Sequence, residues 1–150
     1  MSGEQDLINL YSGRILALAA SIPLIGRLDS PDGSSRRRSP LCGSTVTVDV
    51  AIADDRITDF RQDVKACALG QAAAAIVAQN VIGRTLPEIV TARDQLAAML
   101  KHAGPVPDAP FDGLEVLLPA RDYKNRHASI MLALEATAEA FEQARNADCA

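Results

Sequence analysis

Three side chains in this 150-residue chain combine soft-ligand chemistry with positions that the surrounding pattern can bring together: Cys42, Cys67 and His127. A cysteine thiolate is both a nucleophile and a metal ligand, so its surroundings decide what it does. Cys67 falls where a strand pattern gives way to a helix, and the positive end of a helix dipole favours the thiolate. Cys42 lies in Pro40-Leu41-Cys42-Gly43, a turn in which glycine lets the backbone come close. His127 is expected in the first turn of the last helix, with Asn125 as its N-cap. A cation is unwelcome there, which leaves the neutral imidazole that binds metals. Two thiolates and an imidazole form a soft ligand set suited to zinc or iron–sulfur chemistry. No good fourth ligand sits at a matching place. Ser44 is near Cys42 but is a poor ligand, and water, substrate or a partner's cysteine could fill the gap. There is no CxxC pair. Each residue also has a structural reading: cysteine as a small buried apolar side chain, histidine as a core residue bonded to backbone. His102, near the end of its own helix where a cation is welcome, is assigned no role.

The elements that must position these residues follow from hydrophobic period. Ile8, Tyr11, Ile15, Leu18 and Ile22 make one stripe of a helix over residues 6–22, ended by Pro23. Residues 26–41 are rich in Gly, Pro, Ser and Asp, with no apolar period, and are expected to be loop. They carry Arg36-Arg37-Arg38, either a solvated run or a docking patch for an acidic partner near Cys42. Val46, Val48, Val50 and Ile52 alternate with Thr45, Thr47, Asp49 and Ala51 in a strand over 44–52, half buried and half wet. A turn at Ala53–Arg56 returns the chain in a second strand towards Asp63. Ile57 and Phe60 break the alternation, which predicts a bulge or an end to the regular pairing between them. A third short strand is expected at Val64–Ala66. Leu69, Ala73, Ile76, Val77 and Val81 then mark a helix stopped by Gly83. Thr85-Leu86-Pro87-Glu88 is a capping box opening a helix that closes at Gly104-Pro105. After a Pro-rich loop, Asp112 and Glu115 can cap a short helix limited by Pro119. The last helix is expected over 126–144, with Ile130, Met131, Leu134, Ala138 and Phe141 on its apolar stripe. Residues 145–150, including Cys149, read as a frayed tail to a single domain whose ordered core is 6–144.

Composition sets bounds on function. Hydrophobic residues make up 48% of the chain and aromatics 3%, so the core is built from Ala, Val, Leu and Ile. The net charge of −4 argues against nucleic acid as a partner. Three cysteines without short-range pairing fit a reducing, cytoplasmic setting better than a disulfide framework. The apolar stretch Ile15–Ile25, broken by Ser21 and Pro23, is too short to span a membrane.

From about Leu7 to Phe141 the chain resembles the NifU N-terminal/IscU-like family of iron–sulfur cluster assembly scaffolds, which includes the zinc-binding SufU type. Ser39-Pro40-Leu41-Cys42-Gly43 matches the motif that precedes the family's hairpin. Ile57 through Cys67 keeps the strand-to-cysteine spacing, and Arg126-His127-Ala128-Ser129-Ile130 matches the third motif. The insert between Cys67 and the last helix is of SufU-like length. The resemblance implies an α+β sandwich: a three-stranded antiparallel sheet packed against helices. It implies a scaffold or carrier rather than an enzyme, holding a cluster of the [2Fe–2S] kind, or zinc, through Cys42, Cys67 and His127. Sulfur would come from a cysteine desulfurase, with Cys67 as a candidate acceptor, and apo-proteins would receive the product. The family's Asp after Cys-Gly is Ser44 here, and its third cysteine is Ala128. Those departures keep open a metal-free adaptor that docks on the desulfurase. A thiol or persulfide sulfur-transfer protein, with His127 as base to Cys67, is the further alternative.

Overall fold

A computed structural model describes residues 12–40 and 43–149, with side chains described as far as residue 147. Helix α1 (Gly13–Ala20) is followed by strands β1 (Gly33–Arg38), β2 (Thr45–Ala53) and β3 (Arg56–Lys65). Then come helices α2 (Ala68–Asn80) and α3 (Leu86–Lys101), a run of 3-10 turns (Phe111–Asp122), and helix α4 (Lys124–Cys149). The strands form one antiparallel sheet in the order β1-β2-β3. The architecture is the α+β arrangement expected, with helices on one face of a three-stranded sheet.

The alternation in β2 does what its spacing predicts. Val46, Val48 and Val50 are buried and meet α4 from the inner face, opposite Val64, Gln62 and Phe60 of β3. The bulge falls where the broken alternation requires it. Ala51 pairs with Asp59 but Ile52 pairs with Ile57, so Thr58 is the extra residue. The capping box also forms. The Thr85 amide donates to Glu88 Oε1 at 3.0 Å, and the Glu88 amide donates to the Thr85 hydroxyl at 3.4 Å. Every apolar residue assigned to the α4 stripe is buried.

Several expectations are corrected. The third strand is not Val64–Ala66, whose first two residues simply extend β3. It is β1, inside the stretch read as loop. Gly-Ser-Ser-Arg-Arg-Arg has no apolar residue to carry a period, because α4 lies too close for one. A Cβ at Gly33 would run into the Ala140 carbonyl, and the small Ser35 is buried beside it. The 3-10 run passes through Pro119 to Asp122 instead of stopping there. Helix α4 starts at Lys124, so Asn125 is its second residue and not its N-cap. At the other end it continues to Cys149, into the stretch expected to fray. The described part of the first helix begins at Gly13, where the Ser12 hydroxyl accepts from the Ile15 amide. Ile8 and Tyr11 of its predicted stripe lie outside the described residues.

Candidate metal and sulfur site

The sheet register sets two of the chain's connections at one end of the sheet. Arg38 pairs with Thr45, and Thr45 with Lys65. The β1–β2 connection and the β3–α2 junction therefore sit side by side. The connection is closed by hydrogen bonds from the Ser39 amide to the Ser44 carbonyl at 2.8 Å and from the Gly43 amide to the Ser39 carbonyl at 3.0 Å. Gly43 has a φ of +71°, the left-handed conformation that glycine adopts without steric cost. Cys42 itself lies outside the described residues, one position before Gly43.

Cys67 is the N-cap residue of α2, as its place in the sequence requires, but its thiol does not cap the helix. It is half-buried and turns to α4, where its Sγ lies 3.6 Å from Ser129 Oγ. Ser129 in turn donates to Ser44 Oγ at 3.0 Å. Both serines are buried. The hydroxyl chain thus ties together the start of β2, the start of α2 and the first turns of α4. Its polarity can follow the thiol. A protonated Cys67 can donate to Ser129, whereas a thiolate can accept from it, since a hydroxyl serves either way. Gly70, one turn into α2, makes this approach possible. A Cβ there would stand 2.6 Å from Ser129 Oγ and 2.9 Å from Ala66 Cβ.

His127 is buried, and its Nε2 lies 2.9 Å from the Ala120 carbonyl and 3.0 Å from the Arg121 carbonyl. Two carbonyls can only accept, so Nε2 carries the proton and the lone pair of the neutral ring is on Nδ1. The backbone-satisfied histidine and the ligand histidine are therefore compatible readings, with Nδ1 as the atom that could bind. The hydrogen-bond partner of Cys67 is Ser129, not His127. Among the described residues, no three of the His, Cys, Asp and Glu side chains converge to hold a metal ion.

Ser129 carries no weight in a search for ligands, because a serine in an apolar helix stripe reads as packing. Its signal was its place two residues after His127 in the matched motif. The arginine triplet is divided by the strand alternation. Arg37 points at α4, 3.0 Å from Glu139 and 3.8 Å from Glu135. Arg36 and Arg38 fall on the opposite, outer face with Thr45, Thr47, Asp63 and Lys65.

Residues 11–141 match the NifU-like N terminal domain family. The chain belongs to that family. A crystal structure of a NifU-like protein (N-terminal) from Brucella abortus superposes with a TM-score of 0.91 at 44% identity, covering 94% of this chain and 98% of that one. The iron–sulfur cluster assembly scaffold protein IscU of Thermotoga maritima is 22% identical over 134 residues, 89% of this chain and 94% of its own. IscU 1 of Archaeoglobus fulgidus is 25% identical over 92 residues, and the match spans 61% of this chain and 60% of that relative's length.

Proposed function

We propose that this NifU-like domain is an iron–sulfur cluster assembly scaffold or carrier, not an enzyme, that handles its cargo through Cys67 and Cys42 with His127 Nδ1 as the nitrogen donor. One observation carries the reading. Cys67 is half-exposed at the start of a 13-residue helix, held by Ser129, at the end of the sheet where the loop bearing Cys42 closes. The naming of the Thermotoga and Archaeoglobus relatives as scaffold proteins supports it. The cargo is a cluster of the [2Fe–2S] kind, with zinc as the alternative occupant of the same soft donors.

Sulfur arrives from a cysteine desulfurase. The Cys67 thiolate attacks the outer sulfur of the donor's persulfide, the donor's S–S bond breaks, and the donor cysteine leaves as a thiolate. No external oxidant or reductant enters, because the sulfane sulfur only changes partner. Arg36 and Arg38, exposed on the outer sheet face beside the Cys42 loop, are the docking groups for the donor's acidic surface. Arg37 is not one of them, being paired with α4.

Anaerobic reconstitution with iron and sulfide tests the reading. The expected product is coloured, and the visible absorption is lost in Cys67→Ser and in Cys42→Ser. A colourless protein, unchanged by Cys67→Ser, overturns it. Ser44 and Ala128, which supply neither a carboxylate nor a thiol, favour the second reading of a metal-free adaptor. That reading predicts co-purification with the desulfurase that survives Cys42→Ser and is abolished by reversing the charges of Arg36 and Arg38.

A further inference from the structure

At the start of α4 lies an open pocket of 580 Å³, of whose walls the roles above use only His127. Its walls include Lys101, His102, Arg121, Lys124, His127 and Ala128. The volume is that of a small-molecule site. The charge is of one sign, since no carboxylate contributes to the wall. Arg121 is fixed in place, its Nε donating to the Met99 carbonyl at 2.7 Å and its second terminal nitrogen to the Gly104 carbonyl at 3.1 Å. Lys101 and Lys124 are exposed and, among the described residues, have no ion-pair partner. Leu100, Ala103 and Ala128 give the pocket an apolar part suited to a short methylene chain. Ala128 is the step between His127 and Ser129, the residue that touches Cys67. The pocket wall and the contact with Cys67 therefore lie one residue apart on the same turn of helix. At that junction the chain presents a methyl group, beside a donor set short of sulfur.

We propose that this pocket binds an anionic low-molecular-weight thiol of the glutathione class. Its carboxylates rest on Lys101, Lys124 and Arg121, and its sulfur enters over Ala128 as a ligand that the chain does not supply. The proposal rests on the reading of Cys42 and Cys67 as a metal and sulfur site, but its binding half does not need that reading.

Amide chemical-shift titration of the metal-free protein tests binding. Reduced glutathione and S-methylglutathione should both give saturable shifts around Lys101, Lys124 and Ala128, and the neutral thiol 2-mercaptoethanol should not. The double variant Lys101→Glu/Lys124→Glu should bind about tenfold more weakly, the effect of losing two part-exposed ion pairs. Absence of saturation at millimolar glutathione, or indifference to the charge reversal, overturns the proposal. Cobalt(II) then probes the sulfur. Glutathione should strengthen the thiolate-to-cobalt band of the protein beyond that of glutathione and cobalt mixed alone, and S-methylglutathione should not. Binding without that gain overturns the ligand role. A protein giving no thiolate band with cobalt under any condition would sink the metal-site reading and the ligand role together. The metal-free titration distinguishes that failure from a failure of the pocket.

Discussion

Asp49 shows how a single residue can be placed correctly by pattern and still be misread. It lies on the outer face of β2, as its alternation with the valines requires, yet it is fully buried. Arg27, 22 residues earlier, folds over it with two hydrogen bonds of 2.7 and 3.0 Å, joined by the Ser34 hydroxyl and the Leu28 amide. Burial pushes the carboxyl up, but the hydrogen bonds from Arg27, Ser34 and Leu28 outweigh it and hold it below the usual Asp value. A depressed folded value means stability that is complete above the unfolded value of about 3.9 and lost as pH falls through the lower folded value. Asp49→Asn should therefore cost about 1.5 to 3 kcal/mol at neutral pH, for a buried charged acceptor. The gap from wild type should close below about pH 4 in urea titrations across pH. Ser129→Ala is expected to cost about 1 kcal/mol by the same measurement, for one buried hydrogen bond. If it costs nothing, the Ser129–Ser44 contact does not hold the site together.

At the scale of elements, β1 is the instructive strand. Edge strands tolerate polar and charged residues, and this one does not need apolar side chains because the backbone of α4 fills its inner face. The close approach depends on Gly33. Gly33→Val should lower stability by about 1 to 3 kcal/mol, the usual cost of overpacking, and amide exchange should quicken first in β1. Unchanged exchange in β1 would show that the strand and α4 separate at no cost. Gly70→Ala carries a different expectation. The added methyl meets Ser129 Oγ and Ala66, so it should disturb the surroundings of Cys67. Comparing the amide shifts of residues 66–70 and 127–130 between variant and wild type checks this. The capping box of α3 and the bulge at Thr58 were legible because both are local devices, set by residues within three positions of each other.

Across the whole molecule, the polar outer face of the sheet is the side left open by the helices. Among the described residues, Arg36 and Arg38 have no ion-pair partner, whereas Arg37 is held by Glu135 and Glu139. Arg36→Glu/Arg38→Glu should leave the melting temperature within about 2 °C of wild type, because exposed charges contribute little to stability. If the proposed docking on a desulfurase holds, the same variant should weaken that binding, measured by titration calorimetry, and flatten its salt dependence. Undiminished binding would place the docking surface elsewhere. Among the described residues no helix is long and apolar enough to cross a membrane.

The sequence by itself determined what short-range pattern can encode. It fixed the inward face of β2, the break in its pairing with β3, the buried stripes of α2 and α4, the position of Cys67 at a helix start, and the family resemblance of the three motifs. It could not place β1, because a strand whose inner face is covered by backbone has no apolar period to read. Nor could it bring Arg27 to Asp49, or Ser129 to Cys67 across 62 residues. Those meetings depend on how closely α4 lies against the sheet and α2. Glycines 33 and 70 set that distance, and only the packed molecule reveals what they make room for.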